Sequence, residues 1–265
     1  MVVSNIQALV INLECSKKRL EFQKQQLETF GISFERIPAL SAKELDDSTY
    51  VSNSDSWERP LRRTEVACTM SHMLAWQKVL NSQKPFMILE DDALLSIHTK
   101  NLLNSLASWN NYDCINLETR RKKKILSLDK SQICENFRVS DLILDRCGAA
   151  AYVLWPKGAA VLLEWIKKNG LGLADAILST GPTWHHGQIE PAVAIQIDCC
   201  EHYGIVSPIE TYTEIHNIPK PRASSFYPYL LRRLKGQVRI AVKKLTYYRF
   251  SESVELRPYG FKEST

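Results

Sequence analysis

No stretch of this 265-residue chain approaches the ~20 consecutive apolar residues needed to cross a bilayer. The N-terminus, Met1-Val2-Val3-Ser4-Asn5-Ile6-Gln7, has no basic leader, apolar core or small-residue cleavage site, so a signal peptide is not expected. There is no low-complexity tract and no repeat at a solenoid period, which excludes arrays and disordered tails as the main architecture. Seven cysteines form no C-x-x-C pair, and an odd count fits no closed disulfide framework. Reduced, mostly buried thiols in a cytoplasmic protein are the expectation. Cys199-Cys200 is read as two neighbours on a strand, pointing to opposite faces, not as a metal or redox pair.

What remains is an ordinary globular composition, 45% apolar and 24% charged. The net charge of +5 is uneven. Residues 219–265 hold eleven Lys/Arg against three Glu, a net of +8, which leaves −3 for the rest. A mildly acidic body with a basic extension is expected to meet something anionic through its C-terminus.

The run Ala8-Leu9-Val10-Ile11-Asn12-Leu13 predicts a buried strand. Ser16 then reads as an N-cap, with Leu20, Gln23, Leu27 and Phe30 at helical spacing before Gly31 as the stop. Residues 32–38 predict a second strand, an opening that suits a parallel α/β sheet. Residues 46–63 are polar and irregular, and read as a flap or mobile loop. A helix from Thr64, a strand at 86–89, strands at 114–117 and 149–154, and a helix at 156–168 follow. Residues 170–203 are broken by Gly181-Pro182 and His185-His186-Gly187, with His185-His186 read as loop. A late strand is expected at Ile205-Val206.

Glu90-Asp91-Asp92 closes the strand at 86–89. Ligands bind at the C-terminal edge of open α/β sheets. Three adjacent carboxylates repel one another unless a cation or donors compensate, and hard oxygen ligands suit Mg²⁺ or Mn²⁺ bridging to phosphates. A solvated turn is the plainer meaning of such a triplet.

Several segments together resemble glycosyltransferase family 25. They are Val10-Ile11-Asn12-Leu13 with Ser16 and Arg19; Ile32-Ser33-Phe34-Glu35-Arg36-Ile37-Pro38-Ala39; Glu65-Val66-Ala67-Cys68-Thr69-Met70-Ser71-His72; Ile88-Leu89-Glu90-Asp91-Asp92-Ala93; Cys114-Ile115-Asn116-Leu117-Glu118; and Gly148-Ala149-Ala150-Ala151-Tyr152-Val153-Leu154. They cover roughly residues 8–218 in order. The resemblance implies a GT-A-like fold with a mixed, mostly parallel sheet in residues 1–218, followed by a basic extension, 219–265. It implies inverting transfer of a sugar, often galactose from UDP-galactose, to a lipopolysaccharide or lipooligosaccharide core, with UDP-glucose and UDP-N-acetylglucosamine as alternative donors.

Carried over, Asn12, Leu13, Ser16, Arg19, Ala39, Ser71, His72, Glu90 and Asp91 would hold the nucleotide-sugar, and Asp92 and His216 the metal. Arg19 reads equally as a solvated helix face, His72 as a core histidine and His216 as a surface one. The general base of an inverting transfer is expected at Asp175, which also reads as a helix cap, with Glu118 second. A phosphoesterase and a non-catalytic nucleotide-sugar-binding membrane partner are the rivals.

In the extension, Leu231, Leu234, Val238, Ala241, Leu245 and Tyr248 repeat at three or four, with Arg232, Arg233, Lys235, Arg239, Lys243 and Lys244 opposite. The pattern predicts a helix on the anionic cytoplasmic face of a membrane. The main domain carries no nucleic-acid-binding motif.

Overall fold

In a computed structural model, residues 6–145, 147–181, 183–209, 221 and 225–263 are described. The first apolar run forms β1 (Gln7–Asn12), whose Ala8, Leu9 and Val10 are wholly enclosed. Burial on both faces is the mark of an inner parallel strand, and each such Leu or Val contributes about 1.5–3 kcal/mol. α1 (Lys17–Thr29) follows and ends where Gly31 takes a positive φ of 63°. Ser16 stands at its N-cap position, yet the hydroxyl makes no capping bond. β2 (Phe34–Pro38) then pairs parallel with β1.

The 46–63 stretch is not the irregular flap expected. It contains α2 (Asp47–Ser54), capped by Asp46 accepting from the Thr49 amide at 2.8 Å, and Trp57 enters the core. The carboxylate cap supplies the local order that its polar composition concealed. α3 (Arg63–Ser82) leads into β3 (Phe86–Glu90), parallel to β1 on its other side. β4 (Ala93–Leu95), α4 (Thr99–Leu106), β5 (Cys114–Asn116), β6 (Lys124–Cys134), β7 (Phe137–Leu144) and β8 (Ala151–Leu154) come next. α5 (Pro156–Asn169), α6 (Ala174–Thr180), β9 (His186–Glu190), β10 (Ala194–Gln196), α7 (Phe226–Tyr247) and β11 (Ser251–Val254) complete the order.

The main sheet runs β11-β6-β7-β9-β5-β8-β3-β1-β2. Only β1/β2, β1/β3 and β5/β9 are parallel, and the other five neighbouring pairs are antiparallel. The sheet is therefore mixed but not mostly parallel: β8 inserts against the grain between β3 and β5, and the β6–β7 hairpin widens the far side. β4 and β10 form a separate antiparallel pair directly after the acidic triplet. α1 and α4 cover one face and α3 and α5 the other, giving three layers around two apolar clusters.

Other expectations are corrected here. His186 is not loop: it opens β9 in parallel register with Cys114 and is buried. Ile205 makes a lone bridge to Glu263, not a strand. Cys199 ends one 3₁₀ turn and Cys200 joins it to the next; both are buried and neither is on a strand. All seven cysteines are free; three are buried, three partly so and Cys15 is exposed, so burial is less general than expected. The boundary drawn between 218 and 219 falls outside the described residues. Beyond it, β11 closes the sheet edge on β6, and Pro258 and Glu263 bridge back to Ala192 and Ile205. Among the described residues, no helix is long and apolar enough to cross a membrane.

Candidate active site at the end of β3

β3 and β5 run in the same direction, each antiparallel to β8, so their C-terminal ends open on one edge. Glu90, Asp91 and Asp92 leave β3 at that edge, and Glu118 and Arg120 follow β5. The residues expected near a nucleotide-sugar are brought together there, largely by bonding to each other. Asn12, at the end of β1, donates through Nδ2 to Asp91 Oδ2 at 2.7 Å and accepts at Oδ1 from Arg36 Nε at 3.0 Å. Arg19 pairs with Asp91 Oδ1 at 3.1 Å from the first turns of α1. Ser16 offers its carbonyl to Asn12 Nδ2, and its amide bonds Leu13; the Ala39 amide bonds the Asn12 carbonyl. Burial raises the Asp91 carboxyl, against the opposing pull of Asn12 and Arg19. Buried Gln23 donates to the carbonyls of Asp91 and Ala93, which pins the turn from behind.

Ser71 is buried; it donates to the Ala67 carbonyl and accepts from the Leu40 amide, tying α3 to the chain beyond β2. His72 is fully enclosed, and its role is to hold Glu90. Trp76 Nε1, which can only donate, reaches Tyr152 Oη at 2.7 Å. Tyr152 Oη lies 2.9 Å from His72 Nδ1, and His72 Nε2 lies 3.2 Å from Glu90 Oε1. Facing a carboxylate, Nε2 must carry the hydrogen. Gln196 donates to the other Glu90 oxygen at 3.1 Å. Burial alone would raise the Glu90 carboxyl, but the His72 bond and charge, Arg120 and Gln196 together hold it below the usual carboxylate range.

Asp92 is the reverse case. Burial, then the charges of Glu90 and Asp91, push its carboxyl well up, and Oδ1 is buried without a hydrogen-bond partner among the described residues. Glu118 Oε1 and Gln196 Oε1 share that condition. Glu118 Oε2 meanwhile accepts from the amides of Ala150 and Ala151 at 2.7 and 3.1 Å, and burial pushes its carboxyl up to about 8. Asp175, in the first turn of α6, is raised to about 6, mainly by burial, with Glu90 adding to it and the Ala176 amide opposing. Its Oδ1 accepts from that amide at 2.7 Å, while Leu173 occupies the N-cap position. His216 lies outside the described residues.

Arg120 was not foreseen. Its charge opposes the rise of Asp92, Glu118 and Asp175 and helps lower Glu90, and it pairs with Asp198 at 3.0 Å. In the sequence it heads the run Arg120-Arg121-Lys122-Lys123-Lys124, which reads as a solvated surface. The signal that could have found it is its place just after β5, at the same sheet edge as the acidic triplet.

Whether these residues suit a cation can be tested on their chemistry. Oxygen acceptors that are buried and unpaired, at Asp92, Glu118 and Gln196, fit a hard divalent ion. A second grouping, Cys68, His72 and Glu90, brings sulfur, nitrogen and oxygen within 4.8 Å of one another. It fits poorly, since His72 Nε2 presents a hydrogen to Glu90 and burial raises the Cys68 thiol well above its ordinary value.

The profile of glycosyltransferase family 25, described as a lipopolysaccharide biosynthesis protein family, matches residues 5–177. The chain belongs to glycosyltransferase family 25. The matched span carries β1 through the first turn of α6, and so every carboxyl of the site. A Haemophilus influenzae protein named as a glycosyltransferase is 27% identical over 196 residues, covering 71% of this chain and 69% of that protein. The Haemophilus influenzae lipooligosaccharide biosynthesis protein lic2B is 25% identical over 198 residues, 71% of this chain and 74% of its own.

Proposed function

We propose that the protein is an inverting glycosyltransferase that moves galactose from UDP-galactose to a lipopolysaccharide or lipooligosaccharide core acceptor at the cytoplasmic face of the inner membrane, with Mn²⁺ or Mg²⁺. The observation that carries this reading is the unpaired, buried oxygen of Asp92, which shares the charges of Glu90 and Arg120 with a second carboxyl, Asp175, poised at about 6. The family and the named relatives support the substrate class. The parallel β2-β1-β3 unit followed by the antiparallel β8 supports a GT-A-like architecture.

In this reading the chain's own groups divide the work. Asp175, basic enough near neutral pH, takes the proton from the acceptor hydroxyl. Glu118, raised to about 8, is mostly protonated at neutral pH and serves the donor side as a hydrogen-bonding group instead. Arg120 supplies a fixed positive charge where the diphosphate's negative charge grows. Glu90, held by His72 and Gln196, is placed to accept from a donor hydroxyl. Asp92, through its unpaired Oδ1, would hold the divalent ion, which when bound neutralises the leaving diphosphate.

The test is UDP release from UDP-galactose, UDP-glucose and UDP-N-acetylglucosamine, with and without a core oligosaccharide and with and without Mn²⁺. Release that needs UDP-galactose, acceptor and metal together is expected. Preference for another UDP-sugar would replace the donor, and full activity in excess chelator would remove the metal.

A further inference from the structure

α7 rests on the body with its charged side inward. Arg232 Nε donates to the Trp57 carbonyl at 2.8 Å, and its Nη2 pairs with Asp55. Arg239 pairs with Glu58 at 2.7 Å and lies over the Trp57 ring, and Lys243 Nζ reaches the Ser179 carbonyl at 3.3 Å. Gly236 sits between them, where a Cβ would come within 2.1 Å of the Glu58 carboxyl carbon. Glycine weakens a helix interior by about 1 kcal/mol, and here its missing Cβ leaves room for the Glu58 carboxylate. The sequence pattern had set all six basic residues toward a membrane; three of them face the protein.

The apolar stripe is consequently left outside. Leu231, Leu234, Val238, Val242 and Leu245 follow helical spacing on one face, and each is at least half exposed. Exposed Phe226 and Tyr227 stand at one end of the stripe, Tyr248 and Phe250 at the other. Arg233, Lys235, Lys244 and Arg249 are exposed around it, and residues 226–249 contain no Asp or Glu. A contiguous apolar face of this kind marks an interaction surface. Its rim decides the partner: pairing two copies through the stripe would gather eight like charges. An anionic lipid surface instead takes the cations at its headgroups, the aromatics at the interface and the stripe in the acyl layer.

We propose that α7 docks the protein on an anionic bilayer by inserting its apolar stripe, not by laying down its basic face. The proposal rests on the reading that the acceptor is a glycolipid. It adds an orientation: Arg239 and Lys243 bond Thr180 and Ser179, at the end of α6, whose first turn carries Asp175. The membrane-bound helix is thus fastened to the helix that holds the candidate base.

The experiment compares the full chain with the Leu234→Glu/Val238→Glu double variant, both changes at exposed positions. Co-sedimentation uses phosphatidylcholine vesicles with and without phosphatidylglycerol, and turnover is measured on a soluble oligosaccharide acceptor. The full chain should sediment with the phosphatidylglycerol vesicles, and the double variant should partition about tenfold less or weaker. Turnover on the soluble acceptor should be equal in the two, which reads the transferase assignment separately from the docking. Equal sedimentation of both proteins, or none by the full chain, would overturn the proposal. So would a concentration-dependent dimer that the double variant dissolves, since the stripe's occupant would then be a second copy.

Discussion

Two groups of buried charge share the edge where β3 and β5 end, and they are built to opposite rules. Lys124, 1% exposed, places its Nζ 2.7 Å from Asp145 Oδ2, 2.7 Å from Gln188 Oε1 and 2.9 Å from the Glu118 carbonyl. Gly148 packs so tightly there that a Cβ would stand 2.6 Å from both Asn116 and Asp145. Around Asp92 the charges of Glu90 and Asp91 add to its burial, and among the described residues Oδ1 has no hydrogen-bond partner. A buried charge in a filled network fixes the fold; a buried charge left open is costly unless something outside the chain completes it. The difference separates the wall of the site from its working surface.

The sharpest way to break this comparison is at Asp175. Asp175→Asn keeps the shape and removes the basicity, so kcat should fall by ~10²–10⁴ with donor affinity unchanged. The wild-type kcat should rise with pH through about 6, where Asp175 loses its proton, and the variant should lack that limb. Loss of donor binding instead would move Asp175 into the nucleotide site.

Next in size is Lys124→Met, which removes the buried ammonium paired with Asp145. Denaturant unfolding should show a loss of about 3–5 kcal/mol, with any surviving folded protein still turning over. A stable but inactive variant would place Lys124 in the chemistry and erase the distinction.

Tyr152→Phe is smaller. It leaves the Trp76 donor unmatched and frees His72 to turn, at about 1–3 kcal/mol of stability. Donor KM should rise severalfold while the Asp175 pH limb stays in place. A shifted limb would mean that the Trp76–Tyr152–His72 chain acts on the base instead of on Glu90.

The smallest effect is in stability against pH. Glu118, raised from 4.5 to about 8, binds its proton more tightly folded than unfolded. Its contribution is therefore complete below 4.5 and lost as pH rises to about 8. Glu118→Gln should flatten that part of the curve in metal-free protein; an unchanged slope would show that Glu118 is ionised in the fold.

Much of the N-terminal half was legible in the sequence, because β1, α1, β2, α3 and β3 follow plain periodicities and Gly31 stops α1 where a left-handed residue is needed. The acidic triplet stood out for the same reason. The β6–β7 hairpin did not, since Lys124–Cys134 is mostly polar and half solvated, and β9 was hidden by His186 and Gly187. At the site, adjacency was legible but partnership was not. Nothing local to Asp91 and Asp92 says that Asn12 and Arg19 hold one while the other stays open. The seating of α7 failed in the same way, because the periodicity marks two faces, and Asp55 and Glu58, 177 and 181 residues from the arginines they pair with, decide which is inward.

The central claim is that the open oxygen of Asp92 is reserved for a divalent ion, and Mn²⁺ binding measured by electron paramagnetic resonance tests it without turnover. Wild-type protein should remove the free-Mn²⁺ signal in a saturable titration strengthened by UDP, and Asp92→Asn should leave that signal close to protein-free buffer. An Asp92→Asn protein that titrates Mn²⁺ like the wild type would contradict the account.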